Sequence, residues 1–355
     1  MKTLFNIGDK ITVGDISSYI FDTIRPVVGY SLRKLSNISG PVIRARRGID
    51  NKESDFYADE IEGGELQGFA TNDGASDVFV TVWYDQFGNN NATQTTAAEQ
   101  PKIWDASTGL VTENGKAAVS FDGVDDYLLD DFTISMSSGF TIASVVKENS
   151  TSITSNGTYN IGTDGTTGIT KFFNSGSFYT PFTIIIQSSD NRFRPSGTIS
   201  RNTNQNLILD IFDGVDKTNA SSLSFSINGS LIASDVASSV IGLNSNEFRI
   251  GRAGATFTGD HFSGKYQEII IYESDQSANR ENIETNINQY YIIFGPLRYN
   301  QRITEDSGTF ALTDRYEAVY DEVTEIATPS LLCTCDAYKE STLTTYGTLY
   351  NIIPA

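Results

Sequence analysis

The sequence predicts an all-β fold, an antiparallel sandwich of two sheets closed by one helix near its C-terminal end. Three observations lead there. Between about Val78 and Tyr272, short runs rich in β-branched and aromatic residues alternate with turn-forming residues. Asn228-Gly229 follows an alternating run directly and precedes Leu231-Ile232-Ala233; Asn-Gly tolerates the positive φ of a type I′ hairpin turn. Sustained helical periodicity occurs only past Tyr272.

In chain order, residues 1–27 form a leading segment ending at Arg25-Pro26, and Tyr30–Ser36 reads as a short helical stretch. Charge then separates: Arg25 to Ile49 holds six basic residues and no acidic one, whereas Asp50 to Glu65 holds seven acidic residues and one lysine. The spacing favours two solvated surfaces that pair across the fold; the alternative is a basic docking surface for an acidic partner. Strands are expected over Val78–Tyr84, Ala117–Phe121, Phe140–Val146, Phe182–Ile186, Leu207–Phe212, Leu223–Ile227, Glu247–Ile250 and Gln267–Tyr272. A helix near 277–290 puts Ile283, Ile287 and Tyr290 or Tyr291 on one face, with Asp275 or Ser277 as N-cap. Residues 296–355 are rich in tyrosine, threonine and acids but lack a core pattern of their own. The expected organisation is a docking segment 1–27, a sandwich 28–295 and an assembly extension 296–355.

Composition removes whole classes of function. At 39% hydrophobic, 355 residues suffice for a large core. The net charge of −19 argues against nucleic acid and against anionic membranes as partners. No run of about eighteen apolar residues occurs, so no membrane-spanning helix is expected. The first residues lack the apolar stretch of a signal peptide. His261 is the single histidine, which excludes multi-histidine metal centres and leaves a histidine-based triad one possible base. Cys333 and Cys335 sit too close for an unstrained disulfide.

Four features are candidates for chemistry. Trp83, Tyr84, Asp85, Gln86 and Asn89 combine aromatics with hydrogen-bonding groups, as a sugar site requires; the competing and favoured reading packs Trp83 in the core and spends the polar residues on a tight turn. Asp122, Asp125 and Asp126 cluster hard oxygen ligands suited to calcium, though a capped turn is the commoner use of such residues. Glu268 interrupts an apolar strand, either as a catalytic carboxylate or as one bonded to a neighbouring loop. His261 reads as a loop residue.

Two sets of residues carry a resemblance. Phe121-Asp122-Gly123-Val124-Asp125-Asp126-Tyr127-Leu128, with Phe248–Gly251, Gly264–Tyr272 and the following helix, resembles laminin-G and concanavalin A-like jelly rolls. Tyr30–Leu35, Arg46–Asn51 and Trp83–Gln94 resemble the N-terminal part of the catalytic jelly roll of α-L-arabinofuranosidase B enzymes, a block also found in structural proteins of tailed bacteriophages. The resemblance spans about residues 28–294 and implies a concanavalin A-like jelly roll. Enzymes of that family use two carboxylates. The place of one reads Ile250-Gly251-Arg252-Ala253-Gly254 here, without an acid, and Asp190 is the candidate for the other. The resemblance therefore implies a fold without catalysis. The resulting expectation is a non-enzymatic virion protein of a tailed bacteriophage, a head decoration, fibre or tail component. It would pack on other virion proteins and on copies of itself, and adhere to host or environmental glycans. A glycoside hydrolase of arabinofuranosidase type and a bacterial surface adhesin are the alternatives.

Overall fold

The computed structural model describes residues 20–37, 40–131, 133–135, 139–150, 155–162, 167–174, 181–187, 189–193, 203–213, 223–235, 244–245, 247–253 and 260–295, with five short strands beyond residue 297. By their contacts, Ser18–Ile293 form one compact unit, and Met1–Ser17 with Phe294–Ala355 a second. In the second unit, Tyr316–Val319 pairs antiparallel with Arg298–Tyr299 and with Ser330–Cys333, and Arg302–Thr304 pairs with Ala311–Thr313. The apolar side chains of residues 1–19 and 334–355, on which the docking role rests, lie outside the described residues.

The larger unit is an antiparallel sandwich. Its main elements are β1 (Val28–Ser31), β2 (Ile43–Arg47), β3 (Glu53–Phe56), α1 (Ala58–Gly63), α2 (Glu65–Thr71), β4 (Val78–Trp83), β5 (Ala92–Thr93), β6 (Lys102–Asp105), β7 (Val119–Asp122) and β8 (Leu128–Asp130). There follow β9 (Phe140–Glu148), β10 (Ser155–Ile161), β11 (Thr167–Asn174), β12 (Pro181–Gln187), β13 (Ser189–Phe193), β14 (Gln205–Phe212), β15 (Leu223–Ile227), β16 (Ser230–Asp235), β17 (Phe248–Ile250), β18 (Ser263–Tyr272) and α3 (Arg280–Tyr291). One sheet runs β16–β15–β14–β9–β18, and β18 continues to β1 at one end and β7 at the other. The second runs β13–β12–β11–β10–β17–β8–β5–β4, with β2 and β3 beyond. Strand β6 pairs with both β4 and β7 and joins the two sheets. Every expected strand is present, because alternation and β-branching act locally. Inner-face side chains build one core in which the Tyr30 ring lies 6.0 Å from Trp83 and 6.1 Å from Phe248. Asn228 and Gly229 take φ of 51° and 77° between β15 and β16, the geometry a type I′ turn demands.

Two differences and one agreement, the pairing of the basic and acidic stretches, are informative. Tyr30–Ser36 is not helical: its first two residues end β1, which pairs with β18 from Val28↔Ile271 to Ser31↔Glu268 and is buried throughout. Ladder pairing and burial override the local pattern. The basic and acidic stretches meet in a β2–β3 hairpin, where Arg44 Nε contacts Asp55 at 2.8 Å, while Arg47 pairs with Asp50 and Asp73. These arginines neutralise acids of this chain instead of forming a free docking face. Two short helices, α1 and α2, were not anticipated. Ile61, Leu66 and Ala70 face inward, and the chain reverses at Gly64, whose φ of 114° breaks the periodicity that would reveal them.

Helix α3 buries Ile283, Ile287 and Tyr291, and Asp275 Oδ1 accepts the Ser277 N–H at 2.8 Å to open the preceding 3₁₀ turn. The helix stops at Ile292, a β-branched residue at φ 51°, ψ 54° whose side chain is 55% exposed. The Asn114 amide caps it by donating to the carbonyls of Tyr291 (2.7 Å) and Ile292 (3.0 Å). Left-handed backbone costs a non-glycine residue on the order of 1–2 kcal/mol. Ile292→Gly should therefore raise stability by about 1 kcal/mol in a denaturant titration; a loss would mean that the exposed isoleucine has a contact of its own. Among the described residues, no helix is long and apolar enough to cross a membrane.

Candidate functional site

Alternation along β7 points Val119 and Phe121 into the core and Ser120 and Asp122 outward. Register then extends the outward row across neighbouring strands: Phe79↔Lys102 (β4, β6), Lys102↔Ser120 (β6, β7), Ser120↔Lys265 (β7, β18) and Lys265↔Lys147 (β18, β9). Part of this row floors a cleft of about 630 Å³, walled by residues 105–112 on one side and by Asp122 and Asp126 on the other. Its cations are spoken for. Lys102 Nζ lies 2.8 Å from Asp77 and 2.9 Å from Asp105, and Lys265 Nζ is 3.1 Å from Glu113.

Two of the cleft's carboxyl groups are driven apart in acidity. Asp126 is nearly buried, and burial, reinforced by Asp122, pushes its carboxyl up to about 7. Asp105 is held down to about 2 by its contact with Lys102, assisted by the Ser107 N–H. Near neutrality the cleft thus offers one group that can give a proton and one fixed anion, the division of labour that acid–base chemistry uses.

The Asp122–Asp126 turn explains its own sequence. Asp122 Oδ1 accepts the N–H groups of Val124 (2.7 Å) and Asp125 (3.3 Å), and Asp126 Oδ2 accepts that of Asp122 (2.9 Å). Asp122, Asp125 and Asp126 each place one oxygen within 4.8 Å of the others, a set able to hold a hard cation such as calcium. In Asp122 and Asp126, one oxygen already serves the turn. His261 lies nearly buried beside the Asp126 backbone; burial, and then Arg252, lower its pKa, and Nδ1 has no partner. The Gly251 turn closes against the same place. A Cβ at Gly251 would stand 2.4 Å from the Phe121 ring and 3.1 Å from the Asp126 carbonyl oxygen.

The Trp83 block has a different use, and the sugar-stacking expectation for it is corrected. Trp83 has 0% of its surface exposed, so neither ring face is open to a ligand. Tyr84 donates its hydroxyl to Asp55 Oδ1 at 2.8 Å. Asp85 Oδ1 accepts the N–H groups of Gly29 and Phe87, both at 3.0 Å. Gln86 takes the Leu35 N–H at 2.7 Å and donates to the carbonyls of Ser31 and Arg33 at 3.0 and 2.9 Å. Asn89 is exposed at the tip. These contacts latch the end of β1 to the turn after β4. Beneath them the Tyr30 hydroxyl meets Asp130 at 2.9 Å, and burial pushes that carboxyl up to about 6.

Glu268 is fully buried in an ion pair with Arg33, away from the cleft lining. Asp190 belongs to β13, and its side chain lies outside the described residues. Sequence reasoning singled out Asp122 and Asp126 as calcium ligands, not as catalytic groups, and missed Asp105, Lys102 and Lys265. Strand alternation turns Ser120 and Asp122 outward, yet nothing local reveals that residues 102, 120 and 265 are cross-strand neighbours.

No protein-family model and no curated protein sequence matches the chain. Solved structures do. A mutant GH54 α-L-arabinofuranosidase soaked with 4-nitrophenyl α-L-arabinofuranoside aligns over 92% of this chain and 75% of its own, at a TM-score of 0.52 and 13% identity. An arabinofuranosidase complexed with arabinofuranosyl-α-1,2-xylobiose gives the same coverage and TM-score at 17% identity. At such identities the likeness is one of fold. The expectation that the fold is a non-catalytic one is corrected to this extent: both of these structures, each aligned over 92% of the chain, are arabinofuranosidases, so the fold itself gives no ground for excluding catalysis. The Gly251 turn carries no acid itself, but it packs against the Asp122–Asp126 turn, which carries three.

Proposed function

We propose that the chain is a glycoside hydrolase of arabinofuranosidase type that uses the outer-face cleft, with Asp126 as proton donor and Asp105 as the ionised carboxylate. The observation carrying this reading is the pairing, in one cleft, of a carboxyl held at about 7 with one held at about 2. The shared arabinofuranosidase fold supports the substrate class. Asp126 would protonate the leaving-group oxygen as the glycosidic C–O bond breaks, while a water attacking the anomeric carbon supplies the new hydroxyl and gives its other proton to the Asp105 carboxylate. Release of 4-nitrophenol from 4-nitrophenyl α-L-arabinofuranoside by the intact chain tests the proposal. Neither cleavage nor binding of any arabinoside would overturn it.

A second reading concerns where the protein works and is compatible with the first. We infer that the sandwich is carried on a tailed-bacteriophage particle, attached through its terminal residues to other virion proteins or to copies of itself. The separate unit formed by Met1–Ser17 and Phe294–Ala355 supports this, because it leaves Ser18–Ile293 with a core of its own. Expressed alone, Ser18–Ile293 should be a folded monomer by sedimentation that no longer joins particles analysed by mass spectrometry. A fragment that fails to fold, or one that still joins, would remove that support.

A further inference from the structure

A second concavity, of about 350 Å³, adjoins the cleft and shares Leu110 and Thr112 with it. It lies between the α1–α2 corner and β6, and its lining includes Glu62, Gly64, Gln67, Trp104 and Gly115. Trp104 follows Lys102 by two positions on β6 and therefore faces outward like the cleft floor. The chain has two tryptophans. Trp83 is buried, whereas Trp104 is partly exposed. At Gly109, where φ is +90°, a Cβ would already stand 3.8 Å from Trp104 Cη2; at Gly64 and Gly115 an added Cβ would meet nothing within 4 Å.

The chemistry of the lining selects the occupant. It joins an indole ring to an amide and a hydroxyl, the combination that receives a sugar's apolar face and its hydroxyl groups. No cationic side chain lines this groove, the two lysines of the adjoining cleft are ion-paired, and the chain carries a net charge of −19. A uronate, sulfate or phosphate would find no counter-charge; a neutral sugar needs none.

We propose that this groove is a stacking subsite for a further unit of a neutral oligosaccharide, so that the protein grips an oligomer across Leu110 and Thr112. The inference rests on the hydrolase reading above and adds the length and charge of its substrate. It is tested on the intact chain with arabinose and with longer linear arabino-oligosaccharides, following indole emission. Longer ligands should shift the emission to the blue and arabinose should not, and Trp104→Phe should abolish the shift, since Trp83 is already shielded from solvent. Trp104→Ala should weaken oligosaccharide binding about ten-fold while weakening arabinose binding much less. Gln67→Ala, on the exposed face of α2, should act in the same direction without touching the core. Oligosaccharides that bind or are cleaved without changing the emission would overturn the subsite and leave the hydrolase reading standing, as would equal weakening of arabinose and oligomer by Trp104→Ala. Absence of any arabinoside binding or cleavage would overturn both.

Discussion

Arg33→Ala will destabilise the protein by about 3–5 kcal/mol, the range for removing one partner of a buried ion pair. Arg33 Nε and a terminal nitrogen contact the two oxygens of Glu268 at 2.7 and 2.9 Å, and side-chain exposure is 4% for the arginine and 0% for the glutamate. Ser31 Oγ (2.8 Å) and the Tyr291 hydroxyl (3.1 Å) complete the shell around Glu268, and Asn286 accepts from the same arginine at 2.9 Å. Burial opposes the Arg33 charge, but the facing carboxylate outweighs it and raises the arginine pKa. Removing the guanidinium strands a carboxylate where water cannot reach it. The loss also spreads, because the pair ties β1, β18 and α3 together. Replacing both charges, with Arg33→Met and Glu268→Leu, should recover most of the stability, since two apolar groups leave nothing uncompensated. Denaturant midpoints of the single and double variants measure this. If Arg33→Ala costs less than about 1 kcal/mol, the surface range for ion pairs, the strut is not what holds the helix to the sheet.

The Glu268 position shows how far the sequence could be read. A carboxylate inside an apolar strand is visible without coordinates, but its partner lies 235 residues away in Arg33, so strut and catalyst look alike until the fold is known. The features read correctly were local ones: the alternation of β9 and β14, the Asn228-Gly229 turn, and the Ile283, Ile287, Tyr291 face of α3. The misread ones were decided by tertiary pairing. Tyr30 and Ser31, read as helical, end a strand because β18 accepts it, whereas Trp83 packs inward as favoured, because β4 is sheet interior on that side. The cleft's carboxylates were legible only as a local cluster, read as calcium ligands. Asp122 and Asp126 fall in one turn, whereas Asp105 reaches their cleft only through the β6–β7 ladder.

Asp126→Asn should lower arabinofuranoside turnover by about 10²–10⁴-fold, the range for losing a general acid. The amide is nearly isosteric, and its oxygen can still accept the Asp122 N–H, so the turn survives while the transferable proton is lost. The pH dependence separates this from damage to the fold. With its carboxyl held at about 7, Asp126 is protonated below that value, so wild-type turnover should fall as pH rises through about 7; the residual activity of the variant should not follow that limb. Stability should move the other way. The native state raises this carboxyl from 3.8 to about 7, so in that window it binds more protons than the unfolded chain, and its contribution to stability declines as pH rises. Asp126→Asn removes that decline, leaving the variant relatively more stable than wild type above pH 7 although it is nearly inactive. Thermal melts and turnover measured across the same pH series would show the crossing. An asparagine variant that loses activity and stability together above pH 7 would make Asp126 a turn cap alone, and the proton donor would have to be sought elsewhere in the sandwich.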